Sequence, residues 1–111
     1  MMMLRMTLLA GLVALMGCEQ TSQAADQLAR RSAKSAVTEA LATRFPAVPK
    51  EMITPFTDCI IDNSSAGEIT EFAKAAVIGV TDATATQVRT VLARSETQQC
   101  IVQAGIAALS S

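Results

Sequence analysis

Three times along this chain a hydroxyl residue is followed, three positions later, by an acid or an amide and then by apolar residues stepping by three and four. The pairs are Ser65 with Glu68, Thr84 with Gln87, and Ser95 with Gln98. In such a capping box, the two side chains satisfy each other's exposed backbone N–H groups at the start of a helix. Behind Ser65, the residues Ile69, Phe72, Ala73, Ala76, Val77 and Val80 make the clearest amphipathic series, and the spacing predicts that Phe72 and Val77 share a buried side. Behind Thr84 a shorter helix carries Val88, Val91 and Leu92. Behind Ser95 the last one buries Cys100, Ile101, Ala104 and Leu109. No alternating run of strand length occurs anywhere, so the expected fold is all-α, a small bundle of four to five helices.

The amino-terminal half fits the same plan. A first helix is expected from Ala24 to Phe45, with Leu28, Val37, Leu41 and Phe45 as its apolar side. Its first half (Arg30, Arg31, Ser32, Lys34, Ser35) is polar and reads as a stalk. Pro46 and Pro49 end it, because proline removes a donor and restricts the residue before it. A second helix is expected within Lys50–Asn63, where Thr54-Pro55 marks a fresh start with Pro55 at the first helical position and Phe56, Cys59 and Ile60 face inward. Asn63-Ser64-Ser65 then breaks the chain.

Ahead of these helices lies a segment of another kind. Met1 to Met6 carries one basic residue, Arg5, and Thr7 to Met16 is apolar after its first residue. The apolar run from Met6 to Cys18 is too short for a spanning helix, which needs about 20 apolar residues. Glu19, Gln20, Thr21, Ser22 and Gln23 then follow. A charged start, a short apolar core and a polar sequel are the parts of a secretory signal. The ending Leu15-Met16-Gly17-Cys18 resembles the lipobox of bacterial lipoproteins. That resemblance implies that Cys18 is thioether-linked to diacylglycerol, acylated on its new amino terminus, and becomes the first residue. Residues 1–17 are then a lipoprotein signal peptide, 18–23 a tether and 24–111 the helical domain. The competing reading is ordinary signal cleavage after Ser22-Gln23-Ala24 or one residue later. By resemblance to enterobacterial sorting, Glu19 rather than aspartate after Cys18 favours the outer membrane over the inner.

Either processing route removes Cys18 from the thiol count, leaving Cys59 and Cys100 in an oxidising compartment. A disulfide between them is the natural inference, and in the chain-entropy model a loop of that length is worth about 4 kcal/mol. Two free buried thiols are the alternative. No Cys-x-x-Cys spacing suggests a redox-active pair.

Removing the first 17 residues takes away one basic residue of nine and none of the ten acidic ones, for a net charge of −2. That is no footprint for nucleic acid, which needs a clustered positive face. The stretch from Glu19 to Lys50 is weakly basic and the remainder acidic. A basic membrane-proximal part suits anionic headgroups at about 1 kcal/mol per charge, but Arg30-Arg31 reads first as a solvated helix face.

With no histidine, tryptophan or tyrosine, the chain lacks nucleophile–base pairs and imidazole-ligated zinc in their usual forms. No glycine-rich phosphate loop occurs, and the reading assigns no catalytic residue, cofactor or metal. Carboxylates are the remaining chemistry. Asp58 and Asp62 share a helix face, and Glu68 and Glu71 follow the turn, a set that can do acid–base work or hold a hard cation. The plainer reading is structural: Glu68 and Glu71 sit where the helix dipole favours negative charge, and Asp62-Asn63 is ordinary helix-ending chemistry. Val48, Met52, Ile53 and Phe56 are either core or an exposed docking patch.

The run Thr57-Asp58-Cys59-Ile60-Ile61-Asp62-Asn63, with Ala66, Glu68, Ile69 and the late Cys100, resembles a family of small uncharacterised exported proteins of Gram-negative bacteria. Some members of that family carry a succinate dehydrogenase label. This chain gives the label no support, having no dinucleotide fingerprint, no cysteine set for iron–sulfur clusters and no histidine for flavin attachment. The expected role is a non-enzymatic interaction or structural module, anchored at the envelope through Cys18 and free to meet a protein partner there. The alternative is a soluble periplasmic module that holds a small apolar ligand between its helices.

Overall fold

The computed structural model describes the backbone of residues 2–110 and the side chains of residues 23–107. The described chain is all-α: α1 (Met2–Arg44), a 3-10 turn (Lys50–Met52), α2 (Ile53–Asp62), α3 (Ala66–Ile78), α4 (Asp82–Leu92) and α5 (Ser95–Ser110). The expected helical bundle is present, stapled by a disulfide between Cys59 and Cys100. The side chains of Leu15, Met16, Gly17, Cys18 and Leu109, and with them the signal and most of the tether, lie outside the described residues.

No proline falls between Met2 and Arg44, and α1 accordingly starts well before the expected Ala24 and stops just short of Phe45 and Pro46. Its buried stripe is Ala33, Ala36, Val37, Ala40 and Leu41, none more than 1% exposed. Four-residue spacing picked out Val37 and Leu41 but passed over the alanines, whose small side chains let neighbouring helices approach closely. Leu28 is 65% exposed, against expectation. Nine positions before Val37, it lies half a revolution round the helix from it. Residues 23–28 are all exposed, with Asp26 at the rim of a depression shared with α3.

The chain returns along α1 through α2. Lys34 pairs with Asp58 at 3.1 Å, Arg30 pairs with Asp62 at 3.6 Å, and the Thr38 and Thr57 hydroxyls meet at 3.1 Å, which makes α2 antiparallel to α1. The helix expected from Lys50 opens instead as a 3-10 turn and becomes α-helical at Ile53, so Pro55 is the third helical residue rather than the first. It remains in the first turn, where its missing N–H leaves no intrahelical bond unmade. Asn63 closes α2, its Nδ2 donating to the Cys59 carbonyl at 2.8 Å. Cys59 and Ile60 face inward as expected, joined by Thr57 and Ile61, while Phe56 is half-buried.

The Ser65–Glu68 capping box is made in full: Ser65 N donates to Glu68 Oε1 at 2.8 Å, and Glu68 N donates to Ser65 Oγ at 3.2 Å. The face that α3 buries is Ile69, Phe72 and Ala75. Val77 is 85% exposed and Ala76 is exposed too, which corrects the expected face. Five positions on from Phe72 is about 500°, leaving Val77 about 140° away and turned outward. Gly79, with φ 109°, ends the helix in a conformation that side chains rarely adopt.

The other two capping pairs are corrected. At α4 the cap is Thr81, whose N–H donates to Thr84 Oγ1 at 3.2 Å. Gln87 reaches α3 instead, where its Nε2 donates to the Glu68 carbonyl at 3.1 Å. Ser95 is already helical in α5, and Gln98 N donates to the Arg94 carbonyl at 3.1 Å rather than to Ser95. Val88 and Val91 are buried as expected. Cys100, Ile101 and Ala104 are half-buried, and among the described residues of α5 the fully buried one is Thr97.

Phe72 is the largest fully buried side chain of a core built from α1 to α4: Ala33, Val37, Ala40, Leu41, Ile60, Ile61, Ile69, Val88 and Val91 complete it. Val48, Ile53 and Phe56 pack against its edge, so they are core margin rather than an open patch.

Candidate functional site

The four carboxylates that the sequence singled out are distributed over four separate ion pairs. Each meets a cation: Asp58 meets Lys34, Asp62 meets Arg30, Glu71 meets Lys74 at 3.2 Å, and Glu68 meets Arg94. The first three pairs are solvent-exposed and worth little singly. The fourth is a two-pronged clamp. Arg94 Nη1 donates to Glu68 Oε1 and Nη2 to Oε2, both at 2.8 Å, and Nη1 also donates to the Asn63 carbonyl at 2.7 Å.

Sequence spacing gives no hint of this contact, since 26 residues separate the partners. The capping box positions Glu68, and the α4–α5 corner brings up Arg94. One guanidinium thereby ties the α2–α3 turn to the α4–α5 turn. The Arg94 fork, helped by the Ser65 hydrogen bonds and opposed by partial burial, holds the Glu68 carboxyl down to about 2. Glu68 is therefore fully ionised at neutral pH and unable to donate a proton. Its partner Arg94 is raised further above its ordinary value by the same hydrogen bonds.

The bridge is the second element that joins distant parts. Cys59 and Cys100 are 41 positions apart, with an S–S distance of 2.02 Å and Cα atoms 5.7 Å apart. It fastens α5 along α2, and further on Gly105 faces the Met52 side chain. A second cross-link of weaker kind closes the opposite end of the bundle, where Arg44 pairs with Asp82 and Arg89 lies 5.2 Å over the Phe45 ring.

Two surface depressions carry mixed linings. One, of about 310 Å³, lies between α1 and α3 and is bordered by Asp26, Arg30, Ile69 and Thr70. The other runs along α5 past Gln98, Gln99, Val102 and Gln103. The exposed large apolar side chains among the described residues are Leu28, Val77, Ile78, Val102 and Ile106. Among the described residues no group of three or more His, Cys, Asp or Glu could hold a metal ion, and no helix is long and apolar enough to cross a membrane. No protein-family model, curated protein or solved structure matches this chain.

Proposed function

We propose that this protein is a small envelope lipoprotein: a disulfide-stapled helical domain, held at the membrane by a lipid on Cys18, that works as a non-enzymatic interaction or structural module. The observation that carries the reading is Leu15-Met16-Gly17-Cys18 directly behind a short apolar run. The exposed helical segment 23–28 ahead of the packed body supports it. At 1.5 Å per residue, the 11 steps of α1 from Cys18 to Ala29 hold the body roughly 16 Å from the lipidated residue. A stalk of that length suits a domain displayed to a protein partner in the envelope. Carboxylates individually tied to cations also fit a module without acid–base chemistry. The side favoured is the periplasmic face of the outer membrane, from Glu19.

Fractionation of cells expressing Cys18→Ser tests this. A triacylated terminus anchors stably, whereas its removal leaves no hydrophobic hold beyond the signal. The variant is expected in the soluble periplasmic fraction with wild-type helicity. If it stays with membranes as wild type does, the lipid anchor is wrong. If wild type is itself soluble, the periplasmic ligand-binding alternative takes its place.

A further inference from the structure

Among the described residues the core draws on α1, α2, α3 and α4, and neither it nor the side chains packed at its margin include one from α5. Among the described residues of α5 the best buried is Thr97, and its Oγ1 atom has no hydrogen-bond partner among them. Docking α5 therefore strips water from a hydroxyl and returns nothing to it, which weakens the contact. Against that, the Cys59–Cys100 bond is a covalent hold near the middle of the helix. Cys59 is 2% exposed, whereas Cys100 is half-buried.

We infer that α5 is a redox-latched helix: the Cys59–Cys100 bridge, rather than the core, holds it on α2, and a dithiol reductant entering at Cys100 releases it while α1–α4 stay folded. The chemistry is thiol–disulfide exchange. The reductant's thiolate bonds to Cys100 Sγ, the S–S bond breaks, and its electron pair leaves on Cys59 Sγ, which takes up a proton. The reductant's second thiolate then displaces Cys100 Sγ, which is protonated in turn. One protein disulfide and one dithiol become two protein thiols and one reductant disulfide, with two electrons and two protons transferred. Release uncovers the side of α2 that carries Cys59. The inference does not depend on how the amino terminus is processed.

Hydrogen exchange on the full exported chain, oxidised and then reduced with dithiothreitol, reads the latch directly. Amides of residues 99–107 are expected to exchange about 100-fold faster or more after reduction, while those around Phe72 change by less than about threefold. Two variants separate local release from global unfolding. Thr97→Val replaces the unpartnered hydroxyl with a methyl of similar shape and is expected to slow reduction about tenfold. Val88→Ala lowers the stability of the core and is expected to leave the reduction rate within about twofold of wild type. Under limiting glutathione, the mixed disulfide is expected on Cys100. The inference is overturned if α3 and α5 lose protection together, or if α5 keeps its protection without the bridge. It is equally overturned if Val88→Ala speeds reduction in step with its loss of stability, if Thr97→Val has no effect, or if glutathione is found on Cys59.

Discussion

Glu68→Gln isolates the clamp between the two turns. The glutamine keeps an oxygen for the Ser65 N–H, so the capping box survives, but it loses the charge that meets the Arg94 fork. With the folded carboxyl at about 2 against an ordinary 4.5, linkage sets a ceiling of about 3 kcal/mol. The Arg94 side chain is 36% exposed and that of Glu68 19%, so solvent screening reduces the expected loss to about 1–2 kcal/mol. The folded value lies below the unfolded one. The contribution is therefore complete above about pH 4.5 and is lost as pH falls from there to about 2. Urea melts of wild type and Glu68→Gln at pH 6, 4, 3 and 2 provide the assay, since the difference cancels the other carboxylates. The gap should be about 1–2 kcal/mol at pH 6 and close to within about 0.5 kcal/mol at pH 2. A gap that does not change with pH, or no gap at pH 6, would refute the reasoning.

Other outcomes follow from burial and bonding. Phe72→Ala removes the largest buried side chain and should cost about 3–5 kcal/mol in the same melts. Val77→Ala and Lys74→Ala, both exposed, should each stay within about 0.5 kcal/mol; a loss at Val77 comparable to that at Phe72 would restore the face first expected for α3. Free-thiol labelling of the exported protein under denaturing, non-reducing conditions should find no reactive cysteine, and two labelled thiols would contradict the bridge.

What the sequence made legible was local. The Ser65 box sits within one helical turn, so its four residues contain all of its information, and the α3 start fell where they put it. Thr84 misled because Thr81 offers the same hydroxyl one turn earlier, and the choice between them rests on where Gly79 and Val80 leave the backbone. Alanine is equally at home inside and outside, so Ala33, Ala36 and Ala40 gave no signal, and on α3 the stepping by three and four runs as well through Ala73, Ala76 and Val77 as through the buried Ala75. The Glu68–Arg94 clamp was invisible for a different reason: it joins two corners whose proximity exists only after four helices have packed. The cysteine pair was legible at long range because setting Cys18 aside, as the signal reading does, leaves two thiols and one way to join them.

The central claim is that Cys18 becomes a lipidated amino terminus, and intact mass spectrometry of the mature protein taken from the membrane fraction tests it most directly. The account predicts a chain beginning at Cys18 and carrying diacylglycerol and an amide-linked acyl group. A chain beginning with a free amine at Ala25 or Asp26, with no added lipid mass, would contradict it.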